Sequence, residues 1–469
     1  MFHKYNNHEI ELNRSYGDIK PLYTFRKGIG LYLDSASLEY VKSLNLDLAL
    51  RLGFGILRGE VLTIPKAGIW SFHHGDSRIL RGSPVGFWEC VFKTPTISVT
   101  LQKINDSLDG GDIVGKSETN RHYSMLVNRR KAYDLSIALL KKEMSCFPDN
   151  TILPAPPYDR EMLKISKVSP VLSYSLQFYY SLFKKVKYRI LRIFSVHPFH
   201  WELAIVEGDP LKARYDKYTR LTINRDSFSA DPFSIRFDDK TWIFYESYPY
   251  NTMKGKIDVG FINELGEFVY VGTALEDETH LSYPFLLKEG NEIYMIPESS
   301  EGKSLVIYKC VKFPLKWEVH DEGFKGEAIL DCVVYKESHD CYWWFVNKKT
   351  SREINDSELY IYHSFDLGLQ NLRPHTKNPV IINSRTARNG GDVFKNDGDL
   401  IRTSQVNTDG IYGRSIAFNR IKSLTLDDYQ EEMIEIIRPN FDKSLVGLHH
   451  LSRINDDRFV IDLCYKTNS

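Results

Sequence analysis

The chain has 469 residues, enough for two or three domains with a substantial hydrophobic core. Its 61 Lys and Arg balance its 61 Asp and Glu, and a zero net charge argues against nucleic acid as the main partner. The six cysteines form no C-x-x-C pair and no metal-ligand spacing. We therefore expect free thiols, no metal site and a reducing, cytoplasmic location.

Two polar motifs stand out in the first third of the chain. Adjacent histidines, His73 and His74, follow the apolar segment GIWSF, and Asp109 lies in a glycine-rich turn after the alternating run TISVTLQKI. A carboxylate orients a neighbouring imidazole and raises its basicity, and the imidazole then moves a proton. The pattern predicts acid–base chemistry on a transferred acyl group, with His73 and Asp109 catalytic and His74 structural.

The motifs around these residues resemble the folate-dependent formyltransferases, which include methionyl-tRNA and sugar N-formyltransferases. The matching pieces are Gly53-Phe54-Gly55-Ile56-Leu57, Leu62-Thr63-Ile64-Pro65, His73, Arg81-Gly82 and Leu108-Asp109-Gly110-Gly111-Asp112. The resemblance implies an α/β, Rossmann-like domain over residues 1–146 that transfers a formyl group from 10-formyltetrahydrofolate to an amino sugar. It also implies that the cofactor contacts Gly53, Gly55, Ile56, Leu57, Arg81, Gly82, Leu108, Gly110 and Asp112.

Two departures from the formyltransferase pattern leave a second interpretation open. Ser71 stands where the family has an Asn whose amide stabilises the oxyanion, and losing one such donor can cost about 10²–10³-fold in rate. We expect Ser71, with backbone N–H groups, to take that role. The polar segment 1–28 lacks a strand–glycine–helix pattern, so we expect the first half of the domain to be missing. The alternative is a catalytically degenerate relic.

Residues 147–197 are expected to connect two domains. The Pro-rich stretch FPDNTILPAPPYDR reads as a linker, and residues 171–194 form a predicted amphipathic helix. Its C-terminal half is basic, and such a helix can lie on an anionic membrane surface. The alternative is an interdomain helix whose cations suit its own C-terminus. One expectation is therefore a peripheral contact with the inner membrane surface. The basic residues of the helix are Lys184, Lys185, Lys187, Arg189 and Arg192.

Residues 198–469 repeat a unit of a short apolar strand, a polar turn and an aromatic-rich strand. The repeat recurs about every 50–60 residues, and five such units predict a five-bladed β-propeller. The corresponding positions are Phe233, Phe285, Val333, Phe394 and Leu451. Residues at the starts of the first strands should converge at the mouth of the central channel. These are Asp231, Tyr283, Asp331, Asp392 and His449.

This half resembles the propellers of arabinanase and fructosidase glycoside hydrolases and the N-terminal domain of plant glucosamine inositolphosphorylceramide transferases. The pieces that carry the resemblance are Ala230-Asp231-Pro232-Phe233, Ser282-Tyr283-Pro284-Phe285, Ile296-Pro297-Glu298-Ser299 and Ser404-Gln405. The resemblance implies a ligand that is a glycan or sugar nucleotide. The implied carbohydrate site comprises Asp231, Tyr283, Glu298, Asp331 and His449, with Trp343 as further aromatic surface.

Glycoside hydrolysis requires two carboxylates that flank one bond. Asp231 is the candidate base, and Asp331 or Glu298 is its candidate partner. The second repeat offers Ser282-Tyr283 where the hydrolases carry a modulating Asp. A propeller that only binds glycans is therefore the alternative to a glycosyl-acting enzyme.

Overall fold

The computed structural model describes residues 20–53, 55–79, 83–107, 110–155, 157, 169–193, 196–223, 226–299 and 301–467. The expected site residues Arg81, Gly82, Leu108 and Asp109 lie outside these ranges, as does most of the segment 1–28. The described chain consists mostly of β-strands with few helices. It divides into two compact units, which are residues 1–71 with 102–112, and residues 72–101 with 113–469. The expected domain boundaries stay predictions.

The first part of the chain contains short strands and three of the helices. Strands β3 to β6 form one sheet in chain order, in which β3 and β4 are parallel, and β1 and β2 form a hairpin. The Rossmann-like assignment of this region stays a prediction. The elements are β1 (Thr24–Lys27), β2 (Gly30–Leu33), α1 (Ser35–Ser43), β3 (Ala49–Arg51), β4 (Ile69–His73), α2 (Phe87–Phe92), β5 (Thr96–Lys103), β6 (Asp112–Asn120) and α3 (Met125–Ser145).

Helix α4 (Pro170–Ile193) follows, close to the predicted range of 171–194. No helix in the described ranges is long and apolar enough to cross a membrane. The helix contains no buried residue.

Four-stranded antiparallel sheets, which we call blades, make up the rest of the chain. Blade I comprises β9 (Ser227–Phe237), β10 (Lys240–Pro249), β11 (Lys256–Ile262) and β12 (Phe268–Leu275). Blade II comprises β13 (Ser282–Glu289), β14 (Glu292–Glu298), β15 (Leu305–Lys312) and β16 (Lys316–Gly323). Blade III comprises β17 (Ile329–Ser338), β18 (Cys341–Lys348), β19 (Glu358–Ser364) and β20 (Arg373–Pro374), with β21 (Ile381–Ile382) also paired to β19.

The last two blades share one continuous sheet through a parallel bridge between Gly391 and Leu451. Blade IV comprises β22 (Asn389–Asn396), β23 (Asp399–Thr408), β24 (Ile411–Leu424) and β25 (Tyr429–Ile437). Blade V joins β27 (Leu451–Asn455) and β28 (Arg458–Lys466) to β7 (Phe199–Glu207) and β8 (Tyr218–Arg220), and β26 (Leu445–Gly447) pairs with β28.

The first strands of the blades form a closed ring. Strand β9 contacts β13, β13 contacts β17, β17 contacts β22, β22 contacts β27, and β27 contacts β9. Alternating apolar residues of these strands are buried between blades, such as Phe233, Phe285 and Val333. This is the arrangement of a five-bladed β-propeller, and it confirms the prediction of five β units.

One predicted repeat position is wrong. In blade IV the residue that corresponds to Phe285 and Val333 is Val393, which pairs with Arg402, rather than Phe394. Three residues, 390–392, bulge out between the pairs Asn389–Ser404 and Val393–Arg402. The additional bulged residue shifts the sequence spacing by one.

Candidate functional site

The first strands of blades I to IV share an irregularity near the start. Their pairing register shifts there, and the residues within have left-handed backbone angles. The φ values are 50° for Asp231, 47° for Tyr283, 23° for Asp331 and 126° for Gly391. Such angles cost about 1–3 kcal/mol at non-glycine residues and cluster at functional sites. A β-bulge also re-aims a side chain, and here these residues contact neighbouring blades.

The second strands place buried polar residues opposite these bulges. Glu246 pairs with Ala230, and Glu298 pairs with Ser282. Each of these strands is apolar until the polar residue, as in WIFYE and IYMIPE. The polar residues of the bulges and those at the ends of the second strands therefore lie close together and form one site. The buried polar residues at these strand ends are Glu246, Glu298, Asn347, Ser404, Gln405 and Asp462.

Asp231 of blade I contacts the histidines of blade V. Its Oδ1 lies 3.6 Å from His449 Nε2 and 3.6 Å from His450 Nδ1. Asp462 holds this group together, because Oδ1 accepts hydrogen bonds from the backbone N–H groups of His449 and His450, both at 3.0 Å. Asp462 Oδ2 accepts from the Asp231 N–H at 3.1 Å. The Asp231 Oδ1 atom is buried without a hydrogen-bond partner.

His449 and Asp462 form a close, buried pair. Their Nδ1 and Oδ2 atoms are 2.6 Å apart. Burial acts to lower the pKa of His449, but the carboxylates of Asp462 and Asp231 outweigh it, and the pKa is raised. Burial acts to raise the pKa of Asp462, but the His449 charge outweighs it, and the pKa is lowered. The pair fixes the imidazole beside Asp231.

Arg388 joins two further carboxylates across blades II to IV. Its Nε donates to Asp331 Oδ2 at 2.6 Å, and its Nη2 donates to Asp331 Oδ1 at 3.3 Å and Glu298 Oε2 at 3.4 Å. Gln405 Nε2 also donates to Asp331 Oδ2, at 3.1 Å. The side chains of Arg388 and Asp331 are only 7% and 2% exposed. Asp331 is therefore held as an ion pair, which leaves its oxygens less free than those of Asp231.

Two glutamates in the cluster have raised pKa values. Burial, followed by the charge of Asp231, raises the pKa of Glu246 well above its ordinary value. Burial, followed by Asp331, does the same for Glu298. The two carboxyl groups differ in their partners. Glu246 Oε1 lies 3.3 Å from His280 Nε2, whereas Glu298 is paired with the Arg388 guanidinium. Glu246 can therefore act as a proton donor beside Asp231.

Glu246 predicts a specific pH dependence of stability. An unfolded Glu has a pKa of about 4.3. Because the folded-state pKa is higher, the folded protein binds more protons, and stability falls as pH rises from about 4.3 to the folded-state pKa. The variant Glu246→Gln should lose stability less steeply over that range, by about 1.4 kcal/mol per pH unit.

Urea unfolding at a series of pH values measures this slope. Glu432→Gln, at an exposed ion pair with Lys422, is the control and should run parallel to the unsubstituted protein. Below about pH 4.3, the stability curve of Glu246→Gln should converge with that of the unsubstituted protein. Parallel curves for Glu246→Gln would show that Glu246 does not retain its proton.

A large cleft with aromatic walls borders the His449 side of the cluster. The cleft has a volume of about 1780 Å³. The rings of Trp201 and Tyr412, which line it, lie 4.2 and 5.5 Å from the His449 ring. Tyr412 also stacks on the Arg388 guanidinium at 5.0 Å. Aromatic faces beside carboxylates suit the C–H faces and hydroxyls of a sugar.

Three expectations about the channel mouth are wrong. Tyr283 is fully buried, and its hydroxyl accepts from the Gly391 N–H at 2.9 Å, so it offers no surface to a sugar. Trp343 pairs with Tyr335, toward the opposite end of β17 from Asp331, and donates to Glu337 at 2.9 Å. The Asp392 carboxylate accepts from the Arg453 N–H at 2.6 Å, because Gly391 occupies the bulge position.

The structure brings together the other expected propeller residues and adds several that sequence reasoning missed. Asp231 and His449 form one group, and Glu298 and Asp331 form another. Some of the missed residues could have been found from the sequence, because the second strand of a blade is an apolar run that ends in a polar residue. The missed residues are Glu246, Arg388, Gln405, His450 and Asp462.

Among the formyltransferase-like motifs, Ser71 is bound by a neighbouring arginine. Arg51 Nη1 donates to Ser71 Oγ at 2.7 Å, and Arg51 Nε and Nη2 donate to the Gly55 carbonyl at 2.9 and 2.7 Å. Ser71 Oγ donates back to the Arg51 carbonyl at 3.4 Å. The hydroxyl is thus already engaged with Arg51, and the oxyanion role of Ser71 stays a prediction. Arg51 was not expected at this position.

The remaining glycine-rich pieces pack as turns. Gly53 has a φ of 65°, which favours glycine, and the Ile56 carbonyl accepts from the Leu31 N–H at 2.7 Å. Leu57 bridges to Leu31. The Gly110 carbonyl accepts from Asn105 Nδ2 at 3.0 Å, and Asp112 begins β6. Their cofactor contacts stay predictions.

His73 ends strand β4 and is partly buried. His74 Nε2 lies 3.2 Å from Ser136 Oγ, and burial lowers the pKa of His74 to about 4. This packing supports the structural interpretation of His74. Glu89 on α2 is buried, and burial raises its pKa to about 7, with His73 among the charges that act on it.

One family model matches the propeller half of the chain. Residues 219–447, just under half of the chain, match the family model "Glucosamine inositolphosphorylceramide transferase 1, N-terminal". The rice (Oryza sativa subsp. japonica) protein of that name is 34% identical over 215 residues, which are 45% of this chain and 28% of the relative. The chain thus spans only about a quarter of that relative.

A second, shorter similarity is to a formyltransferase. Methionyl-tRNA formyltransferase of Clostridioides difficile is 33% identical over 88 residues, which are 19% of this chain and 28% of the relative. Among solved structures, a thermostable family-43 glycoside hydrolase aligns with a TM-score of 0.37 and 14% identity over 51% of this chain and 90% of that one.

Proposed function

We propose that the propeller binds a glycan or sugar nucleotide at the central cluster and cleaves or transfers a glycosidic bond there. The observation that carries the proposal is the buried Asp231 Oδ1, which has no hydrogen-bond partner. Beside it, Glu246 pairs with Ala230, and burial raises the pKa of Glu246. Glycosyl chemistry uses one carboxylate and one carboxylic acid. The name of the plant relatives favours a hexosamine-containing ligand.

Each side chain has a role in this proposal. Glu246 donates its proton to the departing oxygen, and the Asp231 carboxylate takes the proton from the attacking hydroxyl. His449, fixed by Asp462, keeps the Asp231 carboxylate oriented. Arg388 pairs with Asp331 and Glu298, so its charge offsets one of the negative charges in the cluster. Trp201 lines the cleft against the apolar face of the sugar.

A direct experiment separates catalysis from binding. The protein is incubated with glucosamine- and N-acetylglucosamine-containing oligosaccharides and with the corresponding sugar nucleotides, and products are read by mass spectrometry. Calorimetry on the same compounds measures binding. Products that disappear in Glu246→Gln support the enzyme. Binding without products supports a binding module. The absence of both products and binding would refute the proposal.

We also propose that residues 35–115 transfer a formyl group from 10-formyltetrahydrofolate to an amino sugar, with His73 and Asp109 as the proton-moving pair. The similarity to methionyl-tRNA formyltransferase favours this second activity. His73 would bind the proton released by the attacking amine. The competing proposal, a degenerate relic, is favoured by Ser71 and its engagement with Arg51.

Folate binding tests this second activity. We expect 5-formyltetrahydrofolate to raise the melting temperature, with about 2.7 kcal/mol of added stability at one hundred times its Kd. Ser71→Asn should then raise formyl transfer by up to about 10²–10³-fold, since Asn Oδ1 can accept from Arg51 while Nδ2 donates to the oxyanion. His73→Asn should bind folate but not transfer. Calorimetry without binding at millimolar folate would favour the relic.

A further inference from the structure

Helix α4 presents one apolar stripe that the described residues leave uncovered. The stripe residues are spaced alternately four and three apart, which places them on one face of a helix. At 1.5 Å per residue, the stripe extends over about 30 Å. All of its members are exposed, by 49–76%. They are Leu172, Leu176, Tyr179, Phe183, Val186, Ile190 and Ile193.

The opposite face of α4 is already packed, so the orientation of the stripe is set. Tyr174 lies 5.5 Å from Phe87, ring to ring, and Tyr188 lies 5.5 Å from Phe199. Gln177 Nε2 donates to the Val91 carbonyl at 3.5 Å. These contacts hold the helix on its inner side, and the stripe faces away from them.

The charge of α4 selects one kind of partner. The helix contains five basic residues and no acidic residue. In the described part of the chain, no carboxylate lies within ion-pair distance of them. At about 100° per residue, Lys184 and Lys187 lie on one side of the stripe and Arg189 lies on the other. An apolar stripe between cations is the pattern of a helix that lies in an anionic membrane surface.

A second copy of the helix is a poorer match to the same face. A parallel pair would place five cations against five, with no acidic residue in the helix to offset them. Aromatic residues at the middle of the stripe, Tyr179 and Phe183, suit the boundary between headgroups and acyl chains.

We propose that α4 docks the protein on the surface of an anionic bilayer, with the stripe inserted and Lys184, Lys187 and Arg189 among the lipid headgroups. This proposal does not depend on the chemistry of the propeller. Lys184 and Arg192 of the same helix also line the cleft that borders the propeller cluster. The docked helix therefore holds the cleft near the headgroup layer.

Vesicle sedimentation of the full chain tests the proposal. We expect binding to vesicles of phosphatidylcholine with phosphatidylglycerol, and much weaker binding to phosphatidylcholine alone. Phe183→Glu with Ile190→Glu should abolish sedimentation. Each neutral substitution at Lys184, Lys187 or Arg189 should weaken binding about fivefold, and added salt should act in the same direction.

A matched control keeps the test specific. Leu265→Glu with Val319→Glu adds the same charge at exposed apolar residues of blades I and II and should leave vesicle binding unchanged. Circular dichroism melting shows whether each variant folds. Equal binding to neutral vesicles, or none to anionic ones, overturns the proposal. So does a dimer in analytical ultracentrifugation that Phe183→Glu dissociates, because the stripe would then be covered by a second copy.

Discussion

Arg388→Met is expected to destabilise the folded protein by about 3–5 kcal/mol, the cost of leaving buried charges unpaired. The guanidinium is the only described basic group within ion-pair distance of Asp331 and Glu298. Methionine fills much of the same volume but donates no hydrogen bond. The midpoint of urea unfolding, followed by tryptophan fluorescence at neutral pH, measures the loss.

Arg385→Met is the matched control for this variant. Arg385 pairs with Glu118 at 3.1 Å, but its side chain is 38% exposed, so we expect a loss of about 0–1 kcal/mol. The double variant Asp331→Asn/Arg388→Met should cost less than the sum of its single variants, because the stranded charge is gone. Equal losses for Arg388→Met and Arg385→Met would show that the buried ion pair contributes little.

Asp231→Asn is expected to reduce the proposed glycosyl activity by about 10²–10⁴-fold, the range for loss of a general base. Asparagine has the same shape and tolerates left-handed backbone angles, so the bulge at 50° should persist. Initial rates with the best substrate of the oligosaccharide panel measure the effect, alongside the unfolding midpoint.

Asp392→Asn is the control for that substitution. It removes another acidic group from the first strand of a blade, but the Asp392 carboxylate is half-buried and bound to the Arg453 backbone. We expect its activity to stay within a few fold of the unsubstituted protein. An Asp231→Asn protein with full activity would assign the base to another residue, whereas loss of ligand binding in Asp231→Asn would point to a purely binding role.

The five-unit architecture was predictable because its signal is local. Each unit repeats an apolar strand, a turn and a second apolar strand, and the pattern needs no knowledge of distant contacts. Asp231, Asp331 and His449 were found as strand starts for the same reason. Blade IV was misaligned by one residue, since the bulge at residues 390–392 has no periodic signature. Asp392 was assigned to the channel on that account.

The residues that were missed depend on contacts between blades. Arg388 precedes strand β22, yet its partners are on blades II and III. Asp462 ends an apolar run on β28, and its role appears only when β28 lies beside β9. Likewise, Arg51 and Ser71 are twenty residues apart, and only the parallel pairing of β3 with β4 joins them. Sequence spacing alone carries no information on such pairs.

The way in which blade V is assembled has a consequence for biosynthesis. Its outer strands β7 and β8 are made before blade I, and its inner strands β27 and β28 are made last. During translation, β7 and β8 are synthesised before the four blades that follow them. Until β28 is synthesised, β7 therefore lacks the inner strand with which it pairs. The range 219–447 that matches the plant family omits β7, β27 and β28. A gene fragment cut to that range would encode an open ring without His449 and Asp462, so expression boundaries should extend from β7 to the end of β28.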